Sequence, residues 1–371
     1  VSDAKYIREF LAEVNTQNNL SAQRKFKLMS NLTNVFQHLP PVEEITIADL
    51  YDAVEGIKGS TNRRTGKPYT KNTQNDLLRI LKRFATWLVE NKYSDMDLLK
   101  IKKIKIPAYL SKTKTDDSIL TEEEAKMVIE TPHSLRYRAL LGILYEGGFR
   151  IQEIADMRWS DVRFTQWGAR IRTAGKTEKE RHVPIIMYRE FLSQWQSEHS
   201  DPRPDNYVFL NYHNQPLKYQ SISKNIQKFC RDAGIERKIT PHIFRHSRVT
   251  HVLRRGMQET LCKKTFWGNE NTDMLKVYSH LTADDAEKAF AKMAGVEIPE
   301  ETVTGAMEPA QCPRCATINT PGSRFCATCG LALDDNALQS FELLTERVES
   351  AMMKALQEDP ANFKRIIDQF Q

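Results

Sequence analysis

From Val1 to about Lys114, apolar residues recur every three or four positions and rarely alternate. That period is helical, so the front of the chain is predicted to be helical throughout, most clearly over residues 21–39 and 72–92. In the second of these, Leu77, Leu81, Phe84 and Leu88 form one apolar stripe, with Thr70 or Asn72 placed to cap its start. Arg79, Lys82 and Arg83 lie off the stripe, with Lys71, Asn72 and Asn75 near the helix start. A face of that kind suits solvent as well as phosphate oxygens and groove edges. Residues 98–114 (LLKIKKIKIPAYLSKTK) hold six lysines, no acid and a central proline, and read as a basic linker that includes Lys102 and Lys103.

Beyond the linker the pattern is mixed. Helical spacing covers about 121–130, 136–147, 151–158, 219–233, 241–255, 258–266 and 283–293. Alternation over 161–173 and 180–187, broken by Gly175, predicts a small antiparallel β unit. Residues 282–294 read as a capped amphipathic helix, with Ala286, Phe290 and Met293 at helical spacing. Residues 336–357 read as another helix, with Leu338, Phe341, Val348 and Met352 roughly in heptad register, a pattern that suits self-association. The expected fold class is mainly α with a small antiparallel β-sheet. Breaks in the pattern divide the chain into segments 1–97, 98–117, 118–296, 297–310, 311–333 and 334–371.

Charge adds direction to this layout. The net charge of +6 is uneven: residues 1–120 hold 20 Lys/Arg against 14 Asp/Glu, whereas residues 301–371 hold 6 against 10. A basic front suggests a polyanionic partner, and the acidic tail favours protein contact. No apolar run approaches the roughly 18 residues of a membrane span. Val1 to Phe10 is charged and lacks the apolar core of a secretory signal, so an intracellular, reducing location is expected.

Four of the six cysteines fall into two CxxC pairs, Cys312/Cys315 and Cys326/Cys329, ten residues apart. Four thiolates at that spacing can close a tetrahedral site, so a structural zinc in a zinc ribbon over 311–333 is expected. Cys230 and Cys262 have no partner motif and are read as core thiols.

The remaining chemistry lies between residues 147 and 278. Gly147 and Gly148 precede Phe149-Arg150 at a helix start, and Glu153 follows where it can hold the Arg150 fork. Lys176 sits in AGKTEKER at the edge of the β unit, with Lys179 close by. Thr240-Pro241 opens a helix with a capping hydroxyl and a preset φ, and it places His242 and Arg245 on one face three residues apart. An imidazole and a guanidinium there suit a phosphate. Gly268-Asn269 and Tyr278 follow.

This order, Arg … Lys … His-x-x-Arg … Gly-x … Tyr, resembles the tyrosine recombinase (phage integrase) family. FRIQEIADMRWSDV at 149–162, GKTEKERHVPI at 175–185, HIFRHSRVTHVL at 242–253 and the interval from Gly268 to Tyr278 carry the resemblance, which covers about residues 5–295. It implies a two-domain DNA clamp, with a helical core-binding domain at 1–97 and a catalytic domain at 118–296. DNA contacts are then expected from Lys71, Asn72, Arg79, Lys82, Arg83, Lys102 and Lys103. The resemblance also implies that Tyr278 attacks phosphorus to form a 3′-phosphotyrosyl bond, and that Arg150 and Arg245 bind the nonbridging oxygens. His242 would assist by hydrogen bonding or proton transfer. Lys176, or its rival Lys179, would protonate the leaving 5′ oxygen.

Asn269 departs from the His or Trp that most members carry, and retains hydrogen bonding without proton exchange. Together with the zinc ribbon, Trp267-Gly268-Asn269 looks more like archaeal members than bacterial ones. The family further implies double-stranded DNA as partner, a homo-tetramer exchanging strands through a Holliday junction, no catalytic cofactor, and a cytoplasmic, nucleoid-associated location. Strand relaxation of the type IB topoisomerase kind and a catalytically silent DNA-binding protein of the same fold remain the alternatives.

Overall fold

The computed structural model describes residues 3–63, 65–109, 119–174, 180–275, 294 and 307–358, which fall into two compact units, 1–112 and 113–371. Among them, no helix is long and apolar enough to cross a membrane.

The first unit is helical: α1 (Asp3–Asn18), α2 (Ala22–Val35), α3 (Ile47–Gly59), α4 (Lys71–Glu90) and the short α5 (Leu98–Lys103). Thr70 caps α4, and a Thr46–Asp49 capping box opens α3. The α4 stripe Leu77, Leu81, Phe84 and Leu88 is buried against Phe10, Leu32 and Ile57, with the Phe10 and Phe84 rings edge to face at 5.2 Å.

The expected linker differs from its sequence reading at its start. Ile101 and Ile104 are buried in this same core, because their spacing of three puts both on one side of a lysine-rich turn. Lys82 Nζ donates to the Lys102 and Ile104 carbonyls (2.7 and 2.9 Å), and Asn75 donates to the Pro107 carbonyl (3.1 Å). Residues 98–109 therefore dock on α4.

The second unit is built around α7 (Leu135–Glu146), which is buried on nearly every side between α6 (Glu122–Glu130), α9 (Arg189–Glu198) and α11 (Pro241–Arg254). A short α8 (Ile151–Ala155) leads to a three-stranded antiparallel sheet in the order β1-β2-β3: β1 (Val162–Phe164), β2 (Ala169–Ala174) and β3 (Glu180–Ile185). Val162 pairs with Ile171, and Ile171 with Val183, so one face of the sheet is aliphatic. The stretch 161–173 thus folds as two strands, split by a turn in which Gly168 N donates to the Thr165 carbonyl. The helix expected over 151–158 stops at Ala155, and α9 was not expected. α10 (Tyr219–Asp232) and α12 (Glu259–Trp267) complete the layer. The helix expected at 282–294 lies outside the described residues apart from Ala294.

The chain returns to this core at Met307, which is fully buried and accepts from the Tyr188 hydroxyl at 3.0 Å. Two short strands follow, β4 (Ala310–Gln311) paired antiparallel with β5 (Ile318–Asn319), and then α13 (Asp335–Glu358).

Candidate active site

The turn before α8 sets the first arginine. Gly148 has φ +53°, and a Cβ there would come within 2.6 Å of the Phe266 ring, so both backbone and space require glycine. Phe149 is fully buried and pins the turn, which leaves Arg150 at the helix N-cap with its side chain about one-third exposed. Glu153, one turn on, accepts from the Arg150 backbone N–H (2.7 Å) and from its Nη1 (3.0 Å). The expected role of Glu153 in fixing the fork is met by this geometry.

The same carboxylate also holds Arg181, which the sequence reading left without a role. Its side chain is only 2% exposed, its Nη2 donates to Glu153 Oε2, and its Nη1 donates to the Thr265 carbonyl at 2.9 Å. Burial pulls the Arg181 pKa below its ordinary value, while the Glu153 charge opposes that shift. The signal was present in the sequence: β3 alternates, and Arg181 shares the inward register with Val183 and Ile185.

Arg245 grips the neighbouring peptide. It is 6% exposed, and its two Nη groups donate to the Gly148 and Phe266 carbonyls. Its Cζ lies 5.0 Å from the Trp267 ring centroid, within cation–π range. Arg181 and Arg245, from a strand and a helix, thus hold adjacent carbonyls at the end of α12. Gly268 ends α12 in the left-handed region (φ +66°), and Asn269 follows with its Oδ1 accepting from Asn271 N–H at 3.1 Å. The amide Nδ2 of Asn269 is a donor only.

His242 is exposed in the first turn of α11, on the same face as the more deeply set Arg245. Pro241 stands at N1 as expected, but the Thr240 hydroxyl makes no capping hydrogen bond; the Ile243 N–H donates to the Thr240 carbonyl instead, at 2.8 Å. Beneath the site, the buried Glu146 carboxylate accepts from Ile186, Met187 and Tyr188 N–H (2.6, 2.9 and 3.0 Å) and ties the end of α7 to the chain after β3. Burial raises its pKa, against the Arg248 charge and those three amides. Leu275, 8% exposed, packs in a small cluster with Val249, Cys262 and Phe266. Tyr278, Lys176 and Lys179 lie outside the described residues.

In the first unit, Lys71, Arg79, Arg83, Lys102 and Lys103 are exposed and Asn72 is half-buried. Lys82 differs, since its ammonium is engaged with the two α5 carbonyls. Arg79 stacks on the Tyr109 ring at 4.0 Å.

The four tail cysteines converge, with all their sulfurs within 4.8 Å of one another. Cys312–Cys329 and Cys315–Cys326 Sγ separations are 3.6 and 3.5 Å, near the ~3.8 Å edge of a tetrahedron whose metal–sulfur bonds are about 2.3 Å. Each pair sits on a matching turn: Ala316 N–H donates to the Cys312 carbonyl, Gly330 N–H to that of Cys326, and both residues have positive φ. This donor set can hold one soft or borderline metal ion.

Residues 118–285 match the family model described as the phage integrase family. That stretch is a phage integrase family domain. The chain is 27% identical over 221 residues to the tyrosine recombinase XerD of Halalkalibacterium halodurans, covering 57% of this chain and 71% of that one. Over 158 residues it is 34% identical to XerD of Listeria innocua, 41% of this chain and about half (52%) of that relative. The match to XerD of Lacticaseibacillus casei is longer, 25% over 288 residues, covering 74% and 94%. Two solved integrases share the fold: a lambda integrase (residues 75–356) bound to DNA, with TM-score 0.57, 12% identity and coverage of 73% and 93%, and the Tn1549 transposon integrase in complex with right-end DNA, with TM-score 0.58, 16% identity and coverage of 78% and 99%.

Proposed function

We propose that this recombinase cuts and rejoins double-stranded DNA at specific sites, with Tyr278 as nucleophile. The observation that carries the reading is the arginine frame inside the integrase domain: Arg150 held by Glu153, and Arg245 held by the Gly148 and Phe266 carbonyls. Guanidinium groups fixed before substrate arrives stabilise charge that develops on a phosphate without reorganising. Arg150 and Arg245 bind the nonbridging oxygens of the scissile phosphate. Tyr278 attacks phosphorus, its Oη–P bond forms as the P–O5′ bond breaks, and the protein becomes joined to the 3′ phosphate. Lys176, with Lys179 as rival, gives a proton to the departing 5′ oxygen. His242 assists at the nucleophile by hydrogen bonding or proton transfer, and Asn269 donates from Nδ2.

The helical segment 1–97 serves as the core-binding domain, with its Lys71, Asn72, Arg79 and Arg83, and Lys102 and Lys103 of the segment after it, toward phosphate or groove edges. Four protomers on two sites then exchange strands through a Holliday junction. A structural zinc in the Cys312/Cys315/Cys326/Cys329 set folds the ribbon and takes no part in the chemistry.

The deciding experiment uses nicked suicide DNA carrying a candidate site, with wild type and Tyr278→Phe compared on a denaturing gel. A covalent protein–DNA band in wild type alone is the expected outcome. Tight DNA binding without any band, on every substrate tried, would sink the proposal.

A further inference from the structure

The helix α13 stands on the four-cysteine module with nothing covering its apolar side among the described residues. Its base is fixed: Asp334 Oδ1 accepts from Ala337 N–H (2.6 Å), Arg324 donates to the Asn336 carbonyl (3.1 Å) and Ser340 Oγ (2.7 Å), and Ala337 is fully buried. From Leu338 on, every described side chain is exposed. Leu338, Phe341, Leu344, Val348, Met352 and Leu356 are 39–58% exposed. At about 100° per residue these six fall within an arc of roughly 120°, a continuous stripe along the ~36 Å of a 24-residue helix. Helices in proteins take most of their stability from burying such a stripe.

The charges beside the stripe say what buries it. Glu342, Glu346 and Glu349 lie along one flank, and Arg347 and Lys354 lie beyond the other. When two such helices run antiparallel, each flank meets its own copy, so Glu342 and Glu349 face glutamates. When copies run parallel, the acidic flank of one meets the basic flank of the next. We propose that α13 joins copies of this chain in a parallel bundle, an assembly contact that needs no DNA and that stands independently of the recombinase reading.

Sedimentation of the full chain without DNA tests this. Wild type is expected to sediment as two or more copies at micromolar concentrations, and Val348→Asp as a monomer with unchanged metal content and DNA binding. Arg347→Glu with Lys354→Glu keeps good helix formers and is expected to weaken self-association roughly tenfold, more at low salt. Mixing that chain with one carrying Glu342→Lys, Glu346→Lys and Glu349→Lys is expected to recover the assembly as mixed complexes. A monomeric wild type up to its solubility limit would overturn the proposal, as would a Val348→Asp mass equal to wild type. Full association of the chain with both flanks acidic would rule out the parallel arrangement.

Discussion

Arg181 carries no expected contact with substrate, yet it links three pieces of the site. A buried guanidinium is costly unless its donors are matched, and here Glu153 and the Thr265 carbonyl match two of them. Removing it frees Glu153 to shift and with it the Arg150 fork, and displacements of about 1 Å in a catalytic group cost on the order of 10²-fold in rate. Arg181→Met is therefore expected to slow single-turnover cleavage by that order well below its melting temperature, with DNA affinity changed far less. Arg181→Lys should not restore the rate, because one ammonium cannot bridge both acceptors. Equal losses in affinity and rate would assign Arg181 to general folding instead. A second residue-scale prediction concerns His251, whose Nδ1 meets the Tyr145 hydroxyl at 2.7 Å. Burial, with Arg248, Arg254 and Arg255 acting the same way, lowers its pKa from 6.5 to about 4. Between those values the unfolded chain binds the extra proton, so stability is full above pH 6.5 and falls as pH drops toward 4, by at most about 3 kcal/mol. The difference between wild type and His251→Gln in melting temperature across that window isolates the effect, since other carboxyls titrate in both. A difference that does not vary with pH would remove His251 from this role.

Among the elements, those with a strong period were legible and those with a mixed face were not. The α4 stripe and the α11 entry at Pro241 follow from spacing and residue type alone, whereas the choice of Thr70 over Asn72 as the α4 cap came only with the fold. α9 was missed because only Leu192 in it is fully buried, and its polar positions mask the Phe191–Leu192–Trp195 spacing. Six lysines likewise hid the inward isoleucines of α5, whose burial depends on the α4 surface rather than on local pattern. The four-cysteine module was legible to the residue, since ligand spacing is itself the signal. Its folding should depend on metal, because so few buried side chains hold it otherwise. We expect one bound metal ion per chain, lost with a strong chelator or in Cys326→Ser, followed by rapid protease nicking between residues 307 and 334. Unchanged nicking after complete metal loss would contradict this.

Across the whole molecule, the order of the chemistry was readable long before its geometry. Arg150, His242 and Arg245 are identifiable by type and spacing, but the carbonyls and the carboxylate that aim the arginines come from residues 21 to 97 positions away in the chain or from a neighbouring turn. Only the fold brings them together. The basic surplus of the front and the acidity of the tail match a division between a part suited to polyanions and a part suited to its own copies. One further consequence follows from the burial of Leu275 beside Phe266. Two residues of chain, Lys276 and Val277, separate it from Tyr278, three backbone steps that can span at most about 11 Å. The last described anchor before the proposed nucleophile is therefore packed in the same cluster whose Phe266 carbonyl Arg245 holds, so substitutions at Leu275 loosen both at once.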